Sequence, residues 1–166
     1  RYPSRVSHGI WLAGMLIPDG RSFDQICAEV AGAGAKICVT PHIQASPDGL
    51  TSTVPPEAAI AHFFDDFPPN QARAAAARLT PQPTSGHRIA TKTGPQFAAL
   101  PKLYLLATRD KSVLPAVQRH MCAGVENLTL RQIDSGHVPQ VTKPRALAAL
   151  IDRWLPKPLR AEPIPR

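Results

Sequence analysis

The sequence is poor in aromatic residues and has no basic stripe. Aromatic residues make up 5% of the chain, and its 19 lysines and arginines are scattered. The formal net charge of +7 therefore lacks the interleaved aromatics that nucleic-acid-binding surfaces use. We expect no nucleic-acid partner, and we interpret the charge as solvated surface plus a basic tail.

Cysteines and long apolar runs are also scarce. Cys27, Cys38 and Cys122 are odd in number and show no C-x-x-C spacing, which gives little support to a disulfide framework or a zinc site. We expect buried free thiols, no metal and no cofactor. No apolar run approaches the length of a membrane span, and no charged-then-apolar leader is visible. We therefore expect no membrane partner, no signal peptide and a cytoplasmic protein.

The main chemical signal lies within residues 103–139. Residues 103–107 form a continuous apolar run, which is typical of a strand buried on both faces, and Asp110 follows shortly after it. Residues 128–133 predict a second strand, which ends in a D-S-G-H turn carrying His137. The carboxyl ends of parallel strands share one edge of a sheet, so Asp110 and His137 can meet there.

The flanking segments predict the rest of a layered core. Residues 6–12 read as a short strand, and Ser22 with Gln25 predicts a capping box at the start of a helix. Thr142 is predicted to cap a last helix. The apolar residues of that helix fall on one stripe, formed by Leu147, Leu150, Ile151 and Trp154.

The 19 prolines of the sequence favour turns and extended segments. We therefore expect the elements in the middle of the chain to be small and irregular. Residues 37–43 and 50–54 flank an S-P-D-G turn and read as a hairpin. Helices are predicted after Pro55, through Phe64, and after Pro69. Residues 80–96 read as a long crossing back to the core, with an exposed His87.

Two blocks carry a resemblance to a known family. LPKLYLLATRDKSVLPAVQRHM and LRQIDSGHVPQVTKPRALAALIDRWL resemble the last third of α/β-hydrolases, in particular the small esterase and hydroxynitrile lyase group. The resemblance implies an α/β fold class: an incomplete α/β-hydrolase fold with the last main parallel strands, flanking helices and an inserted helical and hairpin cap. The implied division is residues 1–20 as core strand and turn, 21–96 as cap, 97–155 as carboxyl-terminal core and 156–166 as disordered tail.

The resemblance also implies a site. In the family the triad runs Ser, Asp, His in chain order, which carries the acid to Asp110 and the general base to His137. Asp134 is an alternative acid. No G-x-S-x-G occurs in the 166 residues, so the nucleophile is absent from this chain, and the chain alone is expected to be inactive. The implied partner is the missing amino-terminal half of the fold.

Three further residues concern the substrate pocket. Phe63 and Phe64 are candidates for pocket lining, although the sequence leaves open that they form the core of the cap. Val138 stands where hydroxynitrile lyases of the group carry a lysine, which favours the esterase branch and a small-molecule ester substrate.

Other functions remain open at this point. His62 lies at metal-ligand spacing from Asp65 and Asp66, but the resembling enzymes carry a similar string without metal. His8 reads as a packed or surface residue. The alternatives to an esterase are a non-catalytic small-molecule binding module, a hydroxynitrile lyase-type C–C lyase and, with least support, an anion binder.

Overall fold

The computed structural model describes residues 5–32 and 37–156, which form six strands and seven α-helices. The strands are β1 (Gly9–Leu12), β2 (Gln44–Ala45), β3 (Thr51–Thr53), β4 (Gln82–Pro83), β5 (Lys102–Ala107) and β6 (Leu128–Ile133). The helices are α1 (Phe23–Ala31), α2 (Pro56–His62), α3 (Pro69–Ala76), α4 (Pro95–Ala99), α5 (Pro115–Cys122), α6 (Pro139–Thr142) and α7 (Pro144–Trp154). None of the helices within these ranges is long and apolar enough to cross a membrane.

The main sheet is parallel, with strand order β1-β5-β6. β5 lies in the centre, and all six of its residues are buried, which explains its continuous apolar run. α5 connects β5 to β6, so the two strands end at the same edge of the sheet. The predicted α/β fold with a parallel sheet and flanking helices is confirmed.

Side chains cover both faces of this sheet. On one face, Leu147 packs with Leu103, Leu105 and Ile133, and the remaining stripe residues of α7 extend the contact. On the other face, Tyr104 and Leu106 pack with Leu16. The predicted apolar stripe of the last helix is therefore confirmed as the face that packs on the sheet.

α1 packs on the outer side of α5. Ser22 and Gln25 form the predicted capping box at its start, with both reciprocal hydrogen bonds present. Its apolar face meets α5 in one cluster, formed by Phe23, Ile26, Cys27, Cys38, Val113, Val117 and Met121. α1 thus contacts the carboxyl-terminal core although it lies inside the predicted cap of residues 21–96, and the boundary between core and cap stays a prediction.

Residues 40–87, which lie within the predicted cap and are called the cap segment, contain a small antiparallel sheet, with order β2-β3-β4, and the helices α2 and α3. A hairpin is present, but the prediction of its first strand at residues 37–43 was wrong, because β2 (Gln44–Ala45) lies after that range and only the second strand, β3, falls within the predicted residues 50–54. Residues 40–42 form a 3₁₀ turn containing Pro41, whose ring removes a backbone donor that a strand would use. β4 was not predicted; it is an edge strand, where Pro83 is tolerated. Of the predicted tail, only Pro156 lies among the described residues.

Candidate active site

Asp110 lies just beyond the carboxyl end of β5, and its carboxylate is fully buried. Oδ1 accepts hydrogen bonds from the backbone N–H groups of Ser112, at 2.7 Å, and Val113, at 2.9 Å. Oδ2 lies 3.0 Å from Nε2 of Gln118 and 2.9 Å from Nδ1 of His137. Four donors thus converge on a carboxylate, which holds its orientation.

His137 follows β6 at the same edge of the sheet. Because an ionised carboxylate only accepts hydrogen bonds, the contact with Asp110 places the proton of a neutral His137 ring on Nδ1 and leaves Nε2 as the basic nitrogen. The ring stacks obliquely on Phe63, with centroids 5.5 Å apart, and its side chain is 26% exposed. No side chain in the described ranges hydrogen bonds to Nε2. The geometry suits a base whose acceptor nitrogen faces an incoming group.

The other acidic and histidine candidates lie elsewhere. Asp134 is largely exposed and pairs with Arg109 at 2.7 Å, so it does not contact the His137 ring. His8 packs edge-on against Trp154, with ring centroids 5.3 Å apart. Asp110 is therefore the acid that meets His137.

A cavity of about 450 Å³ opens beside His137. Its walls are mainly apolar and come from both the core and the cap; they include Val39, Ile43, Val54, Phe63, Leu79 and Val113. His87 also lines it and lies 5.8 Å from the ring of Phe23, so the expectation that His87 is exposed was wrong. Mainly apolar walls with a few polar side chains, here including the imidazoles of His87 and His137, are typical of small-molecule sites.

Only one of the three predicted pocket residues lines this cavity. Phe63 does, whereas Phe64 is buried in the cap among Ala59, Ala72 and Ala76, and Val138 packs on that same cluster. The predictions that Phe64 and Val138 line the pocket were wrong, because both pack in this cluster instead. Phe63 packs on the same cluster and meets Phe64 edge-on, with ring centroids 5.9 Å apart, but it also lines the cavity and contacts the His137 ring.

Two functional contacts were missed from the sequence. Gln118 is buried and donates to Asp110; the available signal was a polar residue on the apolar face of α5, between Val117 and Met121. Asp66 reaches the turn that carries His137, and its Oδ2 accepts from the backbone N–H of Gly136 at 2.8 Å. These two residues are 70 positions apart, and no sequence spacing connects them.

The candidate metal residues of the cap make separate contacts. Nδ1 of His62 lies 3.2 Å from the carbonyl oxygen of Lys111, and Asp65 pairs with the Lys111 ammonium at 2.7 Å. Asp66 instead accepts hydrogen bonds from residues 135–136 of the turn at residues 134–137, which is called the histidine turn. Within the described residues no group of three His, Cys, Asp or Glu side chains could hold a metal ion.

Thr142 differs from its predicted role. Its hydroxyl donates to Oδ2 of Asp66 at 3.1 Å, and α7 begins after Lys143 without a side-chain cap. The prediction of Thr142 as the cap was wrong because the hydroxyl serves a tertiary contact with the cap segment.

The cysteines are free thiols, and Cys27 and Cys38 are buried as expected, whereas Cys122 is half-buried. The Cys27 thiol hydrogen bonds to Cys38, which holds the pKa of the Cys38 thiol below its ordinary value. Burial raises the pKa of the Cys122 thiol to about 12.

Residues 4–150 match the sequence model of the alpha/beta hydrolase family. The chain belongs to this family. No curated protein matches this alpha/beta hydrolase chain at a significant level.

Several solved structures share the fold of this alpha/beta hydrolase chain. A pyrethroid hydrolase from Sphingobium faniae JZ-2 superposes with a TM-score of 0.75 at 20% identity, over 92% of this chain and 62% of that chain. A polyneuridine aldehyde esterase mutant gives 0.72 at 16% identity, over 93% and 64%. Tomato methylketone synthase I gives 0.66 at 15% identity, over 92% and 62%. This chain thus shares their fold and spans less than two thirds of their length.

Proposed function

We propose that this alpha/beta hydrolase chain is the carboxyl-terminal portion of a serine-type esterase, with His137 as general base and Asp110 as the acid that orients it. The observation that carries the proposal is the 2.9 Å contact between His137 Nδ1 and Asp110 Oδ2 at the mouth of an apolar cavity. The chain order of acid and histidine, each after a parallel strand, agrees with the family pattern.

In this proposal a serine hydroxyl from outside the chain approaches Nε2 of His137. Nε2 takes the hydroxyl proton while the oxygen attacks the ester carbonyl, and it then gives that proton to the leaving alcohol. Water hydrolyses the acyl-enzyme by the same transfer. Asp110 holds the ring in place and stabilises the imidazolium that forms in each step.

The chain alone is expected to lack turnover. Removal of the nucleophile of a well-studied serine protease costs a factor of roughly 10⁶ in kcat. The missing amino-terminal half of the fold is the proposed partner that would supply the serine.

Two features support an ester with an apolar group as the substrate. The cavity walls beside His137 are mainly apolar. Val138 does not line this cavity, and its identity, where the lyase branch carries lysine, favours only ester hydrolysis over lyase chemistry. Two of the structural neighbours are named as a pyrethroid hydrolase and a polyneuridine aldehyde esterase, which agrees with ester chemistry.

A second candidate function is a non-catalytic small-molecule binding module. The observation that favours it is that residues of this chain form the mainly apolar walls of the 450 Å³ cavity. Thermal unfolding with and without a short apolar ester would test it, because a ligand that binds only the folded chain raises the midpoint of unfolding.

The esterase proposal is tested first on the chain alone. We expect no hydrolysis of p-nitrophenyl butyrate above that of His137→Ala, and a downfield Nδ1–H proton resonance of His137 that disappears in Asp110→Asn. Asp134→Asn is the matched control and should keep the resonance. Loss of the resonance in the control, or its absence in the wild type, would contradict the pairing.

The second test supplies the missing half. Genomic DNA upstream should encode an in-frame G-x-S-x-G, and the joined polypeptide should hydrolyse the ester. Activity should fall on substitution of that serine, and by a factor on the order of 10⁴ in Asp110→Asn. Serine-dependent turnover by the chain alone would contradict the proposal.

A further inference from the structure

The cap segment reaches the histidine turn through one carboxylate. Oδ2 of Asp66 accepts from the backbone N–H of Gly136 at 2.8 Å, from the Thr142 hydroxyl at 3.1 Å and from the Ser135 hydroxyl at 3.4 Å. Gly136 directly precedes His137, and Ser135 precedes Gly136. One oxygen of the cap thus collects donors from both sides of His137.

Only glycine fits at position 136 without displacing its neighbours. A Cβ at this position would lie 2.9 Å from Oδ1 of Asp65 and 2.9 Å from both Cγ and Oδ1 of Asp66. The backbone of Gly136 is not in the left-handed region, so the need for glycine is steric. The carboxylates of the cap occupy the space that a side chain would fill.

The carboxylate of Asp66 is costly to bury. Its Oδ1 is shielded from solvent and has no hydrogen-bond partner in the described part of the chain. An unpaired buried oxygen opposes folding, and such groups are concentrated at functional sites. A simple tie between cap and core is already provided next to it, by Asp65 and Lys111.

We propose that Asp66 is a positioning residue, which fixes the backbone immediately before His137 and so keeps the imidazole against Asp110. The inference rests on the proposed function of His137 as general base. Asp66 does not touch the imidazole; it acts through the peptide of Gly136 and the hydroxyl of Thr142. The position of the cap thereby sets the orientation of the base.

The test compares Asp66→Ala with Asp65→Ala in the full chain. In Asp66→Ala we expect hydrogen exchange of the Gly136 amide to rise by about tenfold or more, because a hydrogen bond to a charged acceptor is lost. The Nδ1–H resonance of His137 should broaden or vanish. Asp65→Ala removes the neighbouring ion pair with Lys111 and should leave both signals unchanged.

Two milder variants keep the test decisive if Asp66→Ala does not fold. Asp66→Asn retains an oxygen for the Gly136 N–H and should restore most of its protection. Thr142→Val removes one donor to Asp66 and should raise Gly136 exchange a few-fold. Exchange of the Leu105 amide in β5 reports global unfolding, and a purely structural role would speed it by the same factor as Gly136.

The outcomes separate this inference from the proposed function. A wild-type chain without an Asp110-dependent His137 resonance contradicts the proposed function. A wild-type chain with that resonance, retained in Asp66→Ala together with slow Gly136 exchange, overturns the role of Asp66 alone. In the enzyme assembled with its nucleophile, Asp66→Ala should lower kcat and leave KM nearly unchanged.

Discussion

Gln118 connects three parts of the site through one neutral amide. Its Nε2 donates to Oδ2 of Asp110 at 3.0 Å and to the carbonyl of Val113 at 2.6 Å, while its Oε1 accepts from the N–H of Ala107 at 3.2 Å. The end of β5, the loop after it and α5 are thereby held together. The orientation of the acid depends on this residue as well as on the backbone.

Replacement of Gln118 by Met should destabilise the chain and loosen the acid. The Ala107 N–H and the Val113 carbonyl would each lose this buried partner, so we expect the free energy of unfolding to fall by about 2 to 4 kcal/mol. Urea denaturation measures this change. The exposed Gln132 of β6 gives the matched control, Gln132→Met, and an equal loss in both variants would contradict the role of Gln118.

Among the residues of the candidate site, the sequence predicted those that directly follow strands. It missed the residues whose contacts depend on tertiary packing. Asp110 and His137 were predicted to meet because each comes just after an apolar run, and their side chains lie 2.9 Å apart, whereas their catalytic roles stay a prediction. Asp66 was seen only as a member of a possible metal cluster, because its contact with Gly136 depends on where the cap lies. Phe64 was misplaced for a related reason: aromatic residues of a cap can face the pocket or its own core.

Among the elements, β5 contains a feature that its apolar pattern hides. Lys102 opens the strand fully buried, and its ammonium donates to the carbonyl oxygens of Ala98, Leu100 and Glu126 at 2.8 to 3.1 Å. It also lies 4.8 Å from the centroid of the Phe97 ring. The sequence predicted the strand from residue 103 because a lysine usually lies at a solvated end.

Lys102→Met should therefore cost stability despite its greater hydrophobicity. Three buried carbonyl oxygens would lose this donor, and we expect the free energy of unfolding to fall by about 2 to 4 kcal/mol. Denaturation in urea, with the exposed Lys92→Met as control, checks the size. No loss in Lys102→Met relative to the control would show that other donors replace the ammonium.

The difference in the free energy of unfolding between the wild-type chain and Lys102→Met should depend on pH. Burial lowers the pKa of Lys102 from its ordinary value of 10.5, so the unfolded chain binds this proton more tightly than the folded chain. The stability that Lys102 contributes should increase as pH rises towards 10.5 and decrease as pH falls through the folded pKa. Urea denaturation at several pH values measures this. If the stability of the wild type relative to Lys102→Met decreases as the pH is raised, the predicted sign is wrong.

The boundaries of the elements were the weaker part of the prediction. Long apolar patterns placed β5, β6 and α7 correctly, because burial on a sheet imposes a regular spacing. The two hairpin strands are shorter than the predicted ones, and β4 was not predicted. Strands of two or three residues are too short to show an alternating pattern in the sequence.

For the molecule as a whole, the open edge of β1 is the main consequence of the architecture. Within the described part of the chain β1 pairs with β5 alone. The N–H groups of Gly9 and Ala13 donate towards β5, so by alternation those of Ile10 and Leu12 point towards the other side. Ile10 is 40% exposed. An apolar, unpaired edge is a template for another strand.

We expect the purified chain to self-associate through this edge at concentrations on the order of 10 to 100 μM. Ile10→Lys should reduce association, because a charged residue on an edge strand opposes pairing. Sedimentation velocity measures the size distribution. Ile89→Lys replaces another exposed isoleucine far along the chain and should leave association unchanged; equal effects would indicate a general change in solubility.

The fold class was predictable at this scale because the order of strand, helix and motif follows the alpha/beta hydrolase family, whose model matches residues 4–150. The packing of α1 on α5 was not, since an amphipathic helix shows which face is apolar but not which element covers it. The cavity could not be predicted from the sequence either, because its walls come from segments that are far apart in the chain.

The hydrogen bonds between Asp66 and the 135–142 segment have a consequence for protein engineering. If residues 62–67 were replaced by the matching segment of a homologous chain, the hydrogen bonds that Asp66 accepts from Gly136 and Thr142 would be replaced with them. Chimeras should therefore place their splice points so that Asp66 and Gly136 come from the same parent.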